Sequence, residues 1–234
     1  MLSQLSNDPL AFPNVEHALE EPNGLLAVGG DLSTTRLITA YQQGIFPWFN
    51  EGDPLLWWSP DPRAIIEIKH LKINKTLKKF LRKMPFIVTL NQAFDQVIDY
   101  CSNAPFRKEG TWILPAMKQA YKNLHQAGFA HSIEIWHENN LVGGLYGVAN
   151  NGFFSGESMF YTKSNASKVA LVYLANYLQS MEISFIDCQL NNPFLASMGC
   201  YDISRDEFMI LKNTALAITL PDNFWQPQTL TFRC

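Results

Sequence analysis

The second half of the chain changes hydrophobic period in a regular way. Apolar positions at helical spacing around residues 116–126 stop at Gly128 and give way to alternating residues at 132–136, the period of a half-buried strand. Turn-forming residues at 138–140 and 150–152 then separate this strand from two more extended segments. The pattern predicts an antiparallel meander of three strands.

A helix and a further strand are predicted after the meander. Ser164 or Asn165 can cap a helix that runs through Ser180, the segment ISFIDCQ is extended, and another helix breaks at Gly199. The order of three strands, helix, strand and helix is the pattern of an N-acyltransferase fold of the acetyltransferase type. The turn before the first of these helices, YTKSNASK, holds no glycine, although a glycine-rich turn usually cradles the pyrophosphate of acetyl-coenzyme A there. A coenzyme A donor is therefore disfavoured.

The sequence pattern in the first half of the chain predicts a smaller structural unit. The apolar run LLAVGG predicts a strand, and Asp31 and Ser33 are both candidate caps for a helix that ends at Gly44. A turn-rich loop with many large rings follows. Trp57 and Trp58 are expected in the core, whereas Trp48 lies in the Pro/Gly turn and can present its face to a base.

These elements predict the α/β (α+β) class, with an N-terminal α/β unit and an acetyltransferase-like (GNAT-like) unit that contains a mixed sheet. We expect three segments. Residues 1–62 form the N-terminal α/β domain with its aromatic loop, residues 63–115 add the basic helix and a connecting region that complete it, and residues 116–234 form the acetyltransferase-like domain.

Positive charge is concentrated in one stretch of an acidic chain. The net charge is −3, yet residues 69–83 hold seven cations and no acid, which leaves eleven cations against 21 acids elsewhere. On a helix, the apolar side chains from Ile73 to Met84 form one stripe and the cations take the other face. Each cation could meet a phosphate of a polyanion, although a solvated helix face is the alternative. The four candidate phosphate contacts are Lys72, Lys75, Lys79 and Arg82.

Composition excludes several classes of protein. The chain has 234 residues, 47% of them hydrophobic and 17% charged, and it contains neither a bilayer-spanning apolar run nor a secretory signal. We therefore expect a cytoplasmic globular protein. The four cysteines and five histidines lack metal-binding spacing, so we expect reduced thiols and no metal. The cysteines are Cys101, Cys188, Cys200 and Cys234.

Nine segments carry a resemblance to a known family. NGLLAVGGDLS, GIFPWF, WWSPDPRA, GTWI, HSIE, LVGGLYGV, GESMF, NASK and IDCQ occur in the order found in bacterial leucyl/phenylalanyl-tRNA-protein transferases. The resemblance covers residues 12–227. One departure is that Phe194 stands where the family commonly has a histidine.

The resemblance implies an aminoacyltransferase reaction. An α-amine attacks the ester that joins leucine, phenylalanine or, more weakly, methionine to the 3′-terminal adenosine of tRNA. The implied acceptors are proteins with N-terminal Arg or Lys, which the transfer marks for proteolysis. No cofactor is implied. The sequence does not indicate an oligomeric state, and a monomer is our working expectation.

Asp187 and Gln189 match the catalytic pair of that family. Their i, i+2 spacing on a strand puts both side chains on one face, and Cys188 on the other. We assign Gln189 to orienting the amine through its amide oxygen. Asp187 either fixes the Gln189 amide or accepts charge from the amine. An ordinary pair that closes a strand is the alternative.

The resemblance also implies a site for the aminoacyl-adenosine. Glu157 and Ser158 match positions that hold the terminal ribose and ester, and a cross-strand salt bridge is the alternative for Glu157. Trp48 and Trp112 resemble the rings that recognise the adenosine, and Tyr121 is expected to hydrogen-bond nearby. Core packing is the alternative for Trp112 and Tyr121.

An apolar pocket must hold the leucine or phenylalanine side chain. Its candidates come from the meander, the central helix and the following strand, and each is an ordinary core residue in the alternative interpretation. They are Leu145, Phe154, Met159, Leu171, Leu174, Leu178 and Ile186.

Two other functions remain open at this point. An acyl-coenzyme A N-acetyltransferase would keep the fold but not the tRNA. A noncatalytic module that binds tRNA or reads N-terminal residues would keep the basic helix and the pocket without requiring Asp187 and Gln189.

Overall fold

A small sheet forms the N-terminal part of the protein. The computed structural model describes residues 2–104 and 111–232. The sheet has the order β1-β2-β4-β3 and is mixed, because β1 runs parallel to β2 while the other pairs are antiparallel. Its strands are β1 (Ser3–Leu5), β2 (Leu25–Gly29), β3 (Phe46–Pro47) and β4 (Leu56–Trp58), and the helix α1 (Thr34–Gln42) lies between β2 and β3 in the chain.

An eight-stranded sheet dominates the rest of the molecule. Its order is β11-β5-β10-β9-β8-β7-β6-β12, and only β9 and β10 pair in parallel. The strands are β5 (Arg63–Glu67), β6 (Ile87–Leu90), β7 (Ala130–His137), β8 (Asn140–Asn150), β9 (Phe153–Tyr161), β10 (Phe185–Gln189), β11 (Tyr201–Ile203) and β12 (Gln228–Thr229).

Helices cover both faces of this sheet. The helix α5 packs on one face with its own apolar core, while α1, α3, α4 and α7 contribute to a second core on the other. None of the helices in the described ranges has the length and apolar character to cross a bilayer. The remaining helices are α2 (Lys75–Leu81), α3 (Phe94–Ser102), α4 (Pro115–Gln126), α5 (Ala166–Gln179), α6 (Pro193–Ser197) and α7 (Arg205–Leu216).

The predicted class and element order are confirmed. The three-strand meander turns at Glu138 and Asn139, whose positive φ angles of 51° and 63° fit a tight hairpin turn. The strands are followed by α5, β10 and α6, as the hydrophobic pattern predicts. Asn165 is the N-cap of α5, with φ 67° and no side-chain capping hydrogen bond.

Residues 63–115 differ from the expected organisation. Rather than completing the N-terminal domain, this segment supplies β5 and β6 to the large sheet, where β5 lies between β10 and β11. The reason is pairing between distant parts of the chain, because Ile65 is opposite both Asp187 and Tyr201. The change from one sheet to the other therefore occurs between β4 and β5.

The basic helix is shorter than its apolar stripe. Asn74 caps α2 by accepting a hydrogen bond from the Leu77 amide, so Ile73 lies outside the helix. Apolar packing continues beyond α2 to Met84 without helical backbone. Lys72 therefore precedes the helix, and Arg82 is its C-cap.

Candidate functional site

A cavity of about 500 Å³ opens beside β9 and β10. Its size is that of a small-molecule site. Six of the seven predicted pocket residues line it, and side chains from the segment after β10 close another side. The six are Leu145, Phe154, Met159, Leu171, Leu174 and Ile186. The apolar residues of the segment after β10 that also line it are Leu190, Phe194 and Leu195, of which the sequence had singled out Phe194 but not the two leucines.

Leu178 does not line this cavity. It is fully buried in the core on the α5 face of the sheet. Leu174 and Leu178 are one helical turn apart on α5, a rise of about 5.4 Å. The prediction for Leu178 is therefore wrong, because that additional turn carries the side chain past the end of the cavity into ordinary core packing.

The polar end of the cavity contains Gln189, at the end of β10. β10 carries a bulge, since Asp187 is opposite Ile65 while Gln189 is opposite Ala64, and Gln189 has φ 57°. The bulge alters the simple alternation of side chains. Cys188 consequently lines the cavity with Gln189, which corrects the expectation that it points to the opposite face.

Cys188 nevertheless has the properties of a protonated thiol. A hydrogen bond with the Cys200 thiol, together with burial, raises the pKa of Cys188 well above its ordinary value. A protonated thiol is a poor nucleophile. Cys101, Cys188 and Cys200 form no disulfide bonds within the described residues, and the expectation for Cys234 lies outside those residues.

Asp187 is buried behind the cavity in an ion pair with Arg63. The Arg63 Nε and Nη2 atoms donate to the two carboxylate oxygens of Asp187, each at 2.8 Å, and both side chains are almost fully buried. Arg63 also donates to the Gly44 carbonyl and lies over the rings of Phe46 and Phe208. This bidentate geometry is the strong form of an Arg–carboxylate pair.

Ser155 connects Asp187 to Gln189. The Ser155 hydroxyl donates to Asp187 Oδ2 at 2.7 Å, and Gln189 Nε2 is 2.6 Å from Ser155 Oγ and 3.4 Å from Asp187 Oδ2. The single hydroxyl proton of Ser155 serves Asp187, so towards Gln189 both neighbours can only accept. The Gln189 amide nitrogen must therefore face them.

This hydrogen-bond direction leaves the amide oxygen of Gln189 for other partners. None of the described residues donates a hydrogen bond to Gln189 Oε1 within the structure, and the side chain lines the cavity. Asp187 does not line the cavity, because Arg63, Ser155 and the backbone N–H of Gln189 surround its carboxylate. Of the two roles predicted for Asp187, the geometry favours fixing the Gln189 amide.

Glu157 lies at the same end of the cavity, two residues beyond Ser155 on β9. Its Oε1 is 2.7 Å from the Tyr41 hydroxyl and its Oε2 is 2.8 Å from the Tyr121 hydroxyl. Burial raises the pKa of Glu157 to about 7, although the two tyrosine hydroxyls act in the opposite direction. Tyr121 thus hydrogen-bonds close to the cavity, and no salt bridge to Glu157 is found within the described ranges.

The two tryptophans expected to contact the adenosine, Trp48 and Trp112, do not line the cavity. Trp48 is 41% exposed and packs edge-on against Trp58. Trp112 is half-buried against the core that α1, α3, α4 and α7 share. Ser158 lines the cavity next to Glu157. Ser158, Glu157 and Gln189 therefore all line the cavity, and the two tryptophans do not.

The four predicted phosphate contacts are solvent-exposed. Lys72, Lys75, Lys79 and Arg82 form no ion pair with any acid in the described part of the chain, whereas Lys118 and Lys122 pair with Asp95 and Asp99. Uncompensated exposed cations remain available to phosphate groups. Nor does the described chain contain a group of three or more His, Cys, Asp or Glu side chains arranged to hold a metal.

Three polar residues of the site were not predicted. Arg63 could have been found from the sequence, because it begins the apolar strand RAII and Asp187 lies within the apolar segment FIDC. A charged side chain on a buried strand needs a partner of opposite charge. Tyr41 on α1 and Ser155 on β9 carried no such signal, since both residue types are common at core edges. Their roles depend on contacts between residues that are distant in sequence.

Comparisons with known proteins assign the family. The family profile described as leucyl/phenylalanyl-tRNA protein transferase matches residues 65–213, and the profile of the N-terminal domain of the same proteins matches residues 30–61. A leucyl/phenylalanyl-tRNA–protein transferase from Colwellia psychrerythraea is 62% identical over 99% of this chain and 98% of its own. The Shigella dysenteriae protein of the same name is 51% identical over 98% and 97%.

Similarity to solved structures is much weaker. A functionally unknown conserved protein from Staphylococcus epidermidis aligns with a TM-score of 0.42 and 11% identity, covering 77% of this chain and 68% of its own. The assignment therefore comes from the sequence matches, which extend over nearly the whole chain. The chain belongs to the leucyl/phenylalanyl-tRNA–protein transferase family.

Proposed function

We propose that this protein transfers leucine or phenylalanine, and methionine more weakly, from aminoacyl-tRNA to the α-amine of proteins with N-terminal Arg or Lys, marking them for proteolysis. The observation that carries this proposal is a cavity with apolar walls and one fixed amide at its polar end. Such a cavity suits an apolar acyl group whose ester lies near the amide.

The acyl side chain fills the apolar part of the cavity. Burying a leucine or phenylalanine side chain contributes roughly 1.5–3 kcal/mol. Leu171 and Leu174 from α5 and Ile186 from β10 supply opposing walls. Their fixed positions disfavour branching at the β-carbon of the donor amino acid, whereas the unbranched methionine side chain still enters.

Gln189 orients the nucleophile in this mechanism. An α-amine has a pKa of about 7.7–8.0, so a useful fraction is neutral near pH 7 and no strong base is needed to expose its lone pair. Gln189 Oε1 accepts an N–H bond from the amine, while Ser155 and Asp187 hold the other end of the amide. Alignment of amine and ester can lower the barrier by roughly 7–11 kcal/mol.

The tRNA lies partly outside the cavity in this proposal. The exposed cations of the α2 region contact phosphates of the acceptor stem, which positions the tRNA without reading bases. Trp48 and Trp112 stack on the terminal adenosine as it approaches, and Ser158 and Glu157 hold the ribose and ester end. The catalytic pair remains Gln189, in contact with the amine, and Asp187, which positions it.

A donor and acceptor assay tests the proposal. The protein is incubated with Leu-tRNA, Phe-tRNA or acetyl-coenzyme A and an Arg-starting peptide, and the peptide mass is measured. We expect an added leucyl or phenylalanyl group and no acetyl group. An acetylated peptide, or no added mass with either charged tRNA, would contradict the proposed function.

A Gln189→Ala variant tests the assigned role. We expect transfer to fall by on the order of 10²-fold, because misplacing the amine removes near-attack geometry, while charged tRNA still binds. Leu178→Ala is the matched control, since this buried residue lies outside the cavity. Unchanged transfer by Gln189→Ala would remove Gln189 from the mechanism.

A further inference from the structure

Three oxygen-bearing side chains form a closed ring beside the cavity. The Tyr41 and Tyr121 hydroxyl oxygens are 2.6 Å apart, and each also lies within hydrogen-bond distance of one oxygen of Glu157, at 2.7 and 2.8 Å. All three distances are typical of O–H···O hydrogen bonds. A hydrogen bond is therefore expected along each side of the ring.

The number of protons decides the ionisation state of this ring. Each tyrosine brings one hydroxyl proton, and burial followed by the Glu157 charge raises the pKa of both hydroxyls well above the ordinary value, so both stay protonated. With an ionised carboxylate, two protons must serve three short oxygen contacts. One pair of oxygens would then face each other with no proton between them. A protonated carboxyl supplies the third proton and closes the ring.

We propose that Glu157 is protonated in the resting protein, as the third proton donor of its ring with Tyr41 and Tyr121, and that it passes this carboxyl proton to the ribose oxygen that leaves the ester. The inference rests on the proposed transfer reaction and adds a catalytic proton donor to it. Its geometric basis is the position of Glu157 on the cavity wall, on the same strand as the serine that holds Gln189.

The proton transfers balance over one cycle. The amine nitrogen forms a C–N bond to the ester carbonyl, and the C–O bond to the ribose breaks. Glu157 gives its proton to the ribose oxygen and becomes a carboxylate, held by the two tyrosine hydroxyls. The nitrogen, which carries one proton too many after attack, returns a proton to Glu157, and the ring is restored with no net uptake or release.

The groups around Glu157 support a proton that can move near neutral pH. Tyr41 faces it from α1 and Tyr121 from α4, with Tyr146 of β8 packed beside Tyr121. Asp187 of β10 favours the protonated form and Arg63 of β5 favours the ionised form. Burial outweighs the two tyrosine hydrogen bonds and these opposing charges, and it raises the pKa of Glu157 to about 7, which suits a residue that both donates and accepts a proton.

A Glu157→Gln variant separates proton transfer from ring geometry. The amide oxygen accepts from one tyrosine and the amide nitrogen donates to the other, so all three sides of the ring keep a proton. The variant therefore mimics the protonated ring but has no acidic proton to transfer. We expect kcat for transfer from Leu-tRNA to fall by about 10²–10⁴-fold. KM should change little, because the amide of Gln can still hydrogen-bond to the ribose. Loss of ribose binding alone would instead raise KM.

The leaving group supplies a second readout. A p-nitrophenyl ester of leucine releases a weakly basic phenolate that needs little help from an acid. The deficit of Glu157→Gln against the wild type should shrink by about tenfold or more with this donor, as expected for general acid catalysis. An equal deficit with both donors would overturn the proposed donation to the leaving oxygen.

Infrared spectroscopy tests the carboxyl proton without any activity. The wild-type spectrum minus that of Glu157→Gln should contain the C=O stretch of a protonated carboxylic acid below pH 7, and the band should disappear above pH 7. The subtraction removes any band of Glu134, another glutamate whose pKa burial raises. If the variant does not fold, titration of the wild type alone retains the test, and absence of any band that titrates near pH 7 would overturn the ring.

The outcomes distinguish this inference from the proposed function. If the wild type and Glu157→Gln transfer leucine equally well, the proton donor is refuted and the transferase function stands. If the wild type transfers nothing from either charged tRNA, the function fails, and donation to a ribose ester fails with it.

Discussion

Replacing Asp187 with asparagine should lower the stability of the fold as well as the rate of transfer. Asn keeps the size of the side chain but removes the negative charge that accepts two hydrogen bonds from Arg63. Arg63 is 1% exposed and Asp187 is 0% exposed, so the guanidinium would stay buried without its partner. Breaking one side of a buried pair costs about 3–5 kcal/mol.

The magnitude translates into a measurable shift in melting temperature. In a chain of this length, 1 kcal/mol corresponds to roughly 2–4 °C, so Asp187→Asn should melt about 6–20 °C below the wild type. Calorimetry or a dye-based melt measures the difference. Transfer is then assayed well below both transitions, where kcat should also fall because the Gln189 amide loses its fixed orientation.

A double variant separates these two effects. Arg63→Met with Asp187→Leu removes both charges and avoids a buried unpaired cation, so it should regain most of the stability lost by Asp187→Asn. Its transfer activity should remain low, because neither side chain can orient Gln189. A melting temperature of Asp187→Asn within about 2 °C of the wild type would refute the energetic reasoning about the buried pair.

Three further predictions test the titration, the pocket and the basic surface. Between pH 4.5 and about 7 the wild type should lose roughly 3 kcal/mol of stability relative to Glu157→Gln, as measured by urea unfolding. The reason is that the raised pKa of Glu157 in the folded protein stabilises the fold fully below pH 4.5, and this contribution is lost as the pH rises through 7. Leu174→Ala should shift the donor ratio towards phenylalanine, whereas Leu178→Ala should only destabilise. Lys75→Glu with Lys79→Glu should weaken the binding of all charged tRNAs alike and reduce the salt slope by about one unit for each phosphate that is no longer neutralised.

Each of these predictions has a clear contrary outcome. A stability difference between wild type and Glu157→Gln that is the same at pH 5 and pH 8 would contradict the raised pKa. An unchanged donor ratio in Leu174→Ala would place that residue in the core only. For the basic surface, Lys118→Glu with Lys122→Glu gives the same charge change on paired lysines. Equal weakening of tRNA binding in both double variants would indicate a general charge effect. Transfer from a minimal aminoacyl-adenosine should survive both.

The sequence predicted the local elements of the C-terminal part well, for a physical reason. Hydrophobic period, turn residues and caps act over a few neighbours, so the alternation at 132–136 and the turn at 138–140 determine a hairpin without knowledge of the rest. The partner of an isolated apolar strand is not encoded locally. β5 has the pattern of a buried strand, yet only the folded chain places it between β10 and β11.

The same holds for the site, where local patterns could be predicted from the sequence and contacts between distant residues could not. Most of the predicted lining followed from apolar positions at helical spacing on α5 and from apolar positions on the strands β8, β9 and β10. The failures occurred where regular spacing breaks, at the β10 bulge that turns Cys188 into the cavity and at the end of α5 where Leu178 enters the core. The contacts of Tyr41 and Ser155 cross 116 and 34 residues respectively, beyond any local pattern.

The two hydrogen-bond systems at the polar end of the cavity differ in one property that assigns their tasks. From Arg63 through Asp187 and Ser155 to Gln189, each proton has one possible direction, so the system can hold an amide in one orientation but has no proton to give. In the ring of Glu157 with its two tyrosines, each hydrogen bond can reverse, because every member can both donate and accept once the carboxyl is protonated. Aminolysis of an ester needs an oriented nucleophile and a proton for the leaving oxygen, and a single side chain supplies both poorly. In the proposed mechanism these tasks are divided between adjacent strands, with Gln189 of β10 orienting the amine and Glu157 of β9 supplying the proton, so no strong base beside Gln189 is required.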